Sequence, residues 1–259
     1  MLIGYGRPGL IIPTVVGTSF NAGALVDGRP SSVCRIAAGT GRPRVRLDWA
    51  AATPIRIVAA LGLTCPVDTL LTLTGRLPGG TYDYALGGAS STQRVFELVD
   101  GSRAAWWVLP ASNGALVGLQ LEVDADAFDL GELVVLQGIE VEHEPGSSTD
   151  RIDPSVIERT LGGGVNTVAR RTYRRLRVKP TADYLAAVRG GALANGMDWE
   201  RLVFAMSASA RVAVATHWAT PADLHRTAIY GRAAPAAIAH KSGPMYGSDD
   251  WTFEEIPPL

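Results

Sequence analysis

The chain has 259 residues, 24 of them basic and 25 acidic, for a formal net charge of -1. Its 47% hydrophobic and 19% charged residues place it in the globular class and exclude a disordered chain, and its even balance of charge excludes a nucleic-acid-binding domain, which is basic as a whole. The length suits two domains of ~100–200 residues, no run approaches the ~18 apolar residues of a membrane span, and Gly4, Arg7 and Pro8 interrupt the start before an export signal forms.

The first half reads as short strands. Arg44-Val45-Arg46-Leu47-Asp48-Trp49 alternates polar and apolar with period two, as a half-buried strand does. Residues 54–63 are mostly apolar and end at Gly62 and Pro66, which suits a strand covered on both faces. Further strands are expected at 70–75, 93–98, 103–109 and 116–123, each bounded by turn residues. Spacing near ten residues, with no helical period before 150, predicts a sandwich or jelly roll.

The second half changes character. Residues 120–150 carry nine acids and no Lys or Arg, whereas 151–180 carry eight bases against Asp153 and Glu158. Such a reversal marks a seam between units or a self-complementary surface. Turn-rich breaks fall at 144–148 and 161–164, with a strand-like run from Val165 to Val178 between the second break and Pro180. A helix is expected over 181–189, with Thr181 as cap and Gly190-Gly191 as terminator. Strands are expected at 201–206, 211–216, 226–231 and 251–256. The predicted fold is mainly β: a jelly-roll sandwich over 1–140, with pairing of residues 1–15 to the second domain left open as an alternative, then a smaller antiparallel, tail-tube-like split barrel over 141–259 with one helix.

No motif points to chemistry. Gly4-Tyr5-Gly6-Arg7-Pro8-Gly9 matches GxGxxG as text, but no strand precedes it and Pro8-Gly9 opens no helix, so it holds no dinucleotide. His143, His217, His225 and His240 lack zinc spacing, and no GxSxG accompanies them. Asp124, Asp126 and Asp129 lack the oxygen ladder of a calcium loop and read as a solvated acidic stretch. Cys34 and Cys65 read as buried free thiols. No cofactor, metal or catalytic residue is expected. All but two of the basic residues, Lys179 and Lys241, are arginine, a bias that a GC-rich coding sequence explains and that an interface demanding planar donors would also produce. Trp106-Trp107 on one strand must point to opposite faces, so one is expected outward, as a candidate contact for a glycan or a partner.

Two sets of segments resemble known families. Asn21–Pro30, Arg44–Trp49 and Pro54–Leu63 resemble the galactose-binding-like (discoidin) jelly roll, although none of that family's carbohydrate-binding residues maps onto this chain. Phe128–Leu133, Asp153–Gly164, Arg171–Leu176, Ile229–Arg232 and Trp251–Glu255 resemble distal tail proteins of long-tailed bacteriophages. Many of those place the sandwich after the tube domain, whereas here it comes first or is inserted. The resemblance implies a virion structural protein assembled in the host cytoplasm, a homo-oligomeric ring, expected to be a hexamer, joining the tail tube to the tip. Its implied partners are copies of itself, the tail tube, the tape measure and the hub or baseplate. Closed rings require complementary heterologous edges, and Arg170, Arg171, Arg174, Arg175 and Arg177 against Glu140, Glu142 and Glu144 are the candidate interface. Two other readings are a carbohydrate-binding adhesin contacting the host surface and a hydrolase with an unrecognised site.

Overall fold

The computed structural model describes residues 1–87, 91–159, 164–207, 210–235 and 237–257. The fold is mainly β, and the chain forms two compact units. Met1–Glu140 and Val212–Ala228 belong to the first, Val141–Arg211 and Ile229–Pro257 to the second. Residues 212–228 thus fold with the first unit, although they lie in the stretch that the sequence assigns to the second domain. Among the described residues, no helix is long and apolar enough to cross a membrane.

The first unit is a sandwich of antiparallel sheets. One contains, in order, Ile12–Val16, Arg44–Thr53, Leu116–Val123, Leu70–Arg76 and Thr92–Arg94. The facing sheet runs Val212–Ala215, Leu2–Tyr5, Glu132–Glu140, Ile57–Leu61, Arg103–Val108 and Phe96–Glu97. Side chains alternate across each strand, so Val45, Leu47 and Trp49 join Leu119, Leu121, Val58, Trp107 and Val135 in one hydrophobic core. The Trp49 indole N–H donates to the Leu116 carbonyl at 2.8 Å, which satisfies the one polar atom that this ring carries inward. Leu2–Tyr5 is wholly buried between two neighbours and leads into no helix, so the glycines of its GxGxxG text sit in a core strand and the turn after it.

The second unit has a sheet ordered Ser148–Ile152, Tyr173–Val178, Trp251–Glu255 and Ile229–Ala234. A small sheet of Asp183–Tyr184, Met245–Ser248 and Ile238–Ser242 and the hairpin Val156–Arg159/Val165–Val168 complete its strands. The segment expected to be one strand from 165 to 178 is therefore two. The turn expected at 161–164 falls on residues outside the description, except Gly164.

The helices depart most from expectation. The one foreseen at 181–189 spans only Leu185–Arg189, because Asp183–Tyr184 pairs with Tyr246 and Met245 instead. Residues 201–206, expected as a strand, lie in or just after the helix Trp199–Ala205. Asp198 caps that helix by accepting the Arg201 amide. Trp199, Leu202 and Met206 are buried on its inner face, and Trp199 meets Trp251 edge to face at 6.0 Å. A third helix, Pro221–Thr227, begins at the Thr220 cap with Pro221 in its first turn. The strand expected from 226 consequently starts at Ile229.

Candidate functional site

The outward residues of three neighbouring strands in the first unit build the best-formed site. Because period two sends Arg44, Arg46 and Asp48 to the outer face, they meet the outward residues of the two strands beside them. Register fixes three rungs: Arg44–Glu122–Thr72, Arg46–Gln120–Thr74 and Asp48–Gly118–Arg76. In the third rung the central residue has no side chain, and this allows Asp48 and Arg76 to join across it at 2.5 Å. A Cβ on Gly118 would lie 2.8 Å from the Asp48 Oδ1 and 3.1 Å from the Arg76 Nε. In the first rung, Arg44 donates from Nε to the Glu122 carboxylate at 2.7 Å.

The middle rung differs in its charge. Arg46 donates from Nε to the Gln120 amide oxygen at 2.8 Å, and among the described residues no carboxylate forms an ion pair with it. The turn at 80–83 overhangs this ladder and brings Tyr82 across it. The Tyr82 hydroxyl donates to Asp48 Oδ1 at 2.5 Å, and its ring lies 4.9 Å from the Arg46 guanidinium carbon and 5.5 Å from that of Arg76. Both contacts have cation–π geometry. Burial, followed by the bond to Asp48, pushes the Tyr82 phenol up to about 12, so it remains a donor. The result is a cavity of about 700 Å³ lined by these side chains with exposed Asp83 at its margin. In the ladder beneath, two polar atoms, the Arg76 Nε and the Thr74 hydroxyl, are buried and have no hydrogen-bond partner among the described residues. No motif in the sequence marks this site. Its only local signals are the Arg-x-Arg-x-Asp alternation and the Tyr82-Asp83-Tyr84 turn.

The tryptophan pair does not face solvent. Trp106 is 3% exposed and Trp107 is fully buried, because their strand is covered on both faces. Trp107 enters the sandwich core, while the helix Pro221–Thr227 covers the other face, where the His225 Nε2 accepts the Trp106 backbone amide at 3.4 Å. Neither ring is available to a glycan or partner. His225 is itself buried, which lowers its pKa. Its Nδ1 lies 2.6 Å from the Pro221 carbonyl.

The eight residues proposed as a subunit interface divide into two groups. Five find partners within the chain: Arg174 with Glu255, Arg175 with Glu254, Arg177 with Asp150, Glu144 with Lys179 and Glu140 with Arg56. The basic strand is thus answered by its own neighbours, by Glu254 and Glu255 of Trp251–Glu255 and by Asp150 at the end of the acidic run, and not by Glu140, Glu142 or Glu144. Arg170, Arg171 and Glu142 remain exposed and form no ion pair among the described residues. Beside Arg170 in the sequence, the hairpin Val156–Arg159/Val165–Val168 is exposed along both strands. Its Ile157 is 70% and its Val165 62% open to solvent.

Among the described residues no group of three or more His, Cys, Asp or Glu is placed to hold a metal. Cys34 and Cys65 are free and buried, as expected.

No family model matches the chain, and no curated protein matches it. Among solved structures, the family 89 glycoside hydrolase of Clostridium perfringens in complex with PUGNAc is similar at 10% identity and a TM-score of 0.35. That match covers 49% of this chain and 14% of the hydrolase, so it spans a small part of that protein's length. The protein described as CpGH89CBM32-6, produced by the same organism, is similar at 12% identity and a TM-score of 0.32, covering 48% of this chain and 93% of its own. Likeness at these scores carries no argument about function.

Proposed function

We propose that the protein is a non-enzymatic structural component of a long-tailed phage tail tip, assembling with copies of itself into a ring. The observation that supports this reading is the hairpin Val156–Arg159/Val165–Val168. A two-stranded ribbon is marginal in water without a covered face, and this one exposes Val156, Ile157, Val165 and Val168. A second copy of the chain is its occupant, since exposed Arg170 and Arg171 near the hairpin base complement exposed Glu142 on a neighbour. Repetition of one such contact closes a ring. Sedimentation of the purified chain over a range of concentrations, with electron microscopy of particles labelled on it, tests the reading. The expected result is a multi-copy ring that Ile157→Asp abolishes without lowering the melting temperature. A monomer at every concentration, missing from particles, overturns it.

A second reading concerns the sandwich alone: a module that contacts a cell-surface glycan. The cavity beneath Tyr82 favours it, because a concave site with a few convergent polar groups suits a small polar ligand such as a sugar.

A further inference from the structure

We propose that the cavity on the outer face of the sandwich binds an acidic sugar, and that Arg46 takes its carboxylate. The inference deepens the glycan reading and rests on it. Of the three guanidinium groups lining the cavity, two are already answered: Arg44 by Glu122 and Arg76 by Asp48. Arg46 faces a neutral amide across the rung. Its Nε is used on Gln120 and its guanidinium carbon lies over the Tyr82 ring, 4.9 Å from the ring centre, while its two terminal nitrogens have no hydrogen bond among the described residues. A guanidinium fixed at its stem with both outer nitrogens unused is preorganised for a bidentate carboxylate.

The surroundings select a sugar acid over other anions. The Gln120 amide donors and the Thr81 hydroxyl, both in the lining, match the alternating donors and acceptors of a polyol. The volume of about 700 Å³ suits a ligand of one to a few rings. Base recognition in a nucleotide wants open aromatic faces for stacking, whereas the one lining aromatic ring lies against two guanidinium groups.

The test is binding of the full chain to hexuronate tetrasaccharides with free carboxylates, to the same tetrasaccharides as methyl esters, and to a sulfated tetrasaccharide. The free acid is expected to bind at least tenfold more tightly than the ester. Arg46→Gln should remove that preference, and Arg46→Lys should retain part of it, with melting temperatures matching the parent. Equal binding of acid and ester overturns the carboxylate assignment and leaves the glycan reading standing. Tighter binding of the sulfated sugar alone, or acid binding undiminished in Arg46→Gln, overturns it too. No binding of any of the sugars removes both the inference and the glycan reading.

Discussion

Two strands of this protein share one written pattern and use it in opposite ways. Arg44–Thr53 and Tyr173–Val178 both set arginines among apolar residues with period two. Facing the second, Trp251–Glu255 supplies Glu254 and Glu255, so its arginines become stitches. Leu116–Val123 presents Glu122, then Gln120, then Gly118 to the first. One arginine there is stitched, one is left un-neutralised, and one acid reaches past the glycine to a third strand. The residue across the ladder, more than the arginine itself, determines whether a charge holds the sheet or remains available to a ligand.

The largest effect should come from breaking a stitch. Arg174 points inward with Leu176 and Val178, and its pair with Glu255 has side chains only 10% and 8% exposed. Arg174→Ala leaves a buried carboxylate without its cation, at a cost of roughly 3–5 kcal/mol, visible as a lower urea midpoint. Loss of ring assembly in that variant reports unfolding and not an interface, and for that reason charge reversal at Arg170 and Arg171 is the cleaner probe of association.

An intermediate effect is expected at Glu132, a carboxylate that is buried but poorly answered. It is 1% exposed and its nearest cation, Arg7, lies 3.9 Å away. Burial raises its pKa to about 7, against the opposing pull of Arg7 and the amides of Gly28 and Arg29. The folded state therefore holds a proton that the unfolded chain has released above pH 4.5. Stability from this group is intact below that value and declines as pH rises to about 7, by about 3 kcal/mol at about 1.4 kcal/mol per pKa unit. Glu132→Gln should match the parent at pH 4 and exceed it at pH 8 in denaturant midpoint; equal midpoints at both would show that the carboxylate titrates normally.

The smallest effect on stability should be at Arg46. Arg46 bonds across the sheet only to a neutral amide, so Arg46→Gln is expected to keep the melting temperature within error of the parent. A loss as large as that of Arg174→Ala would make the two strands alike and erase the contrast.

Strands were legible because their signal is local. The alternation at 44–49 and the apolar runs at 54–63 and 116–123, bounded by turn residues, can be read from neighbouring residues alone, and each contains a strand. Helices of seven residues offered too short a window, although Asp198 before Trp199, Leu202 and Met206, and Thr220-Pro221-Ala222-Asp223, are start signals of the usual kind. The outward tryptophan failed for a tertiary reason, since nothing near 106 announces that a helix from 221–227 covers that face. The cavity was hidden for a similar cause. Its three rungs draw on strands that neighbour in the order 44–53, 116–123, 70–76, which the chain order does not disclose.

The two thiols have a practical consequence. Cys34 and Cys65 lie at 0% and 1% exposure, and desolvation by burial raises the pKa of both, that of Cys34 to about 11. Thiolate is the reactive form, so an alkylating reagent at neutral pH has nothing to attack while the sandwich is closed. Mass added by such a reagent becomes a clock for opening of the first unit, and its rate measures how often this core comes apart.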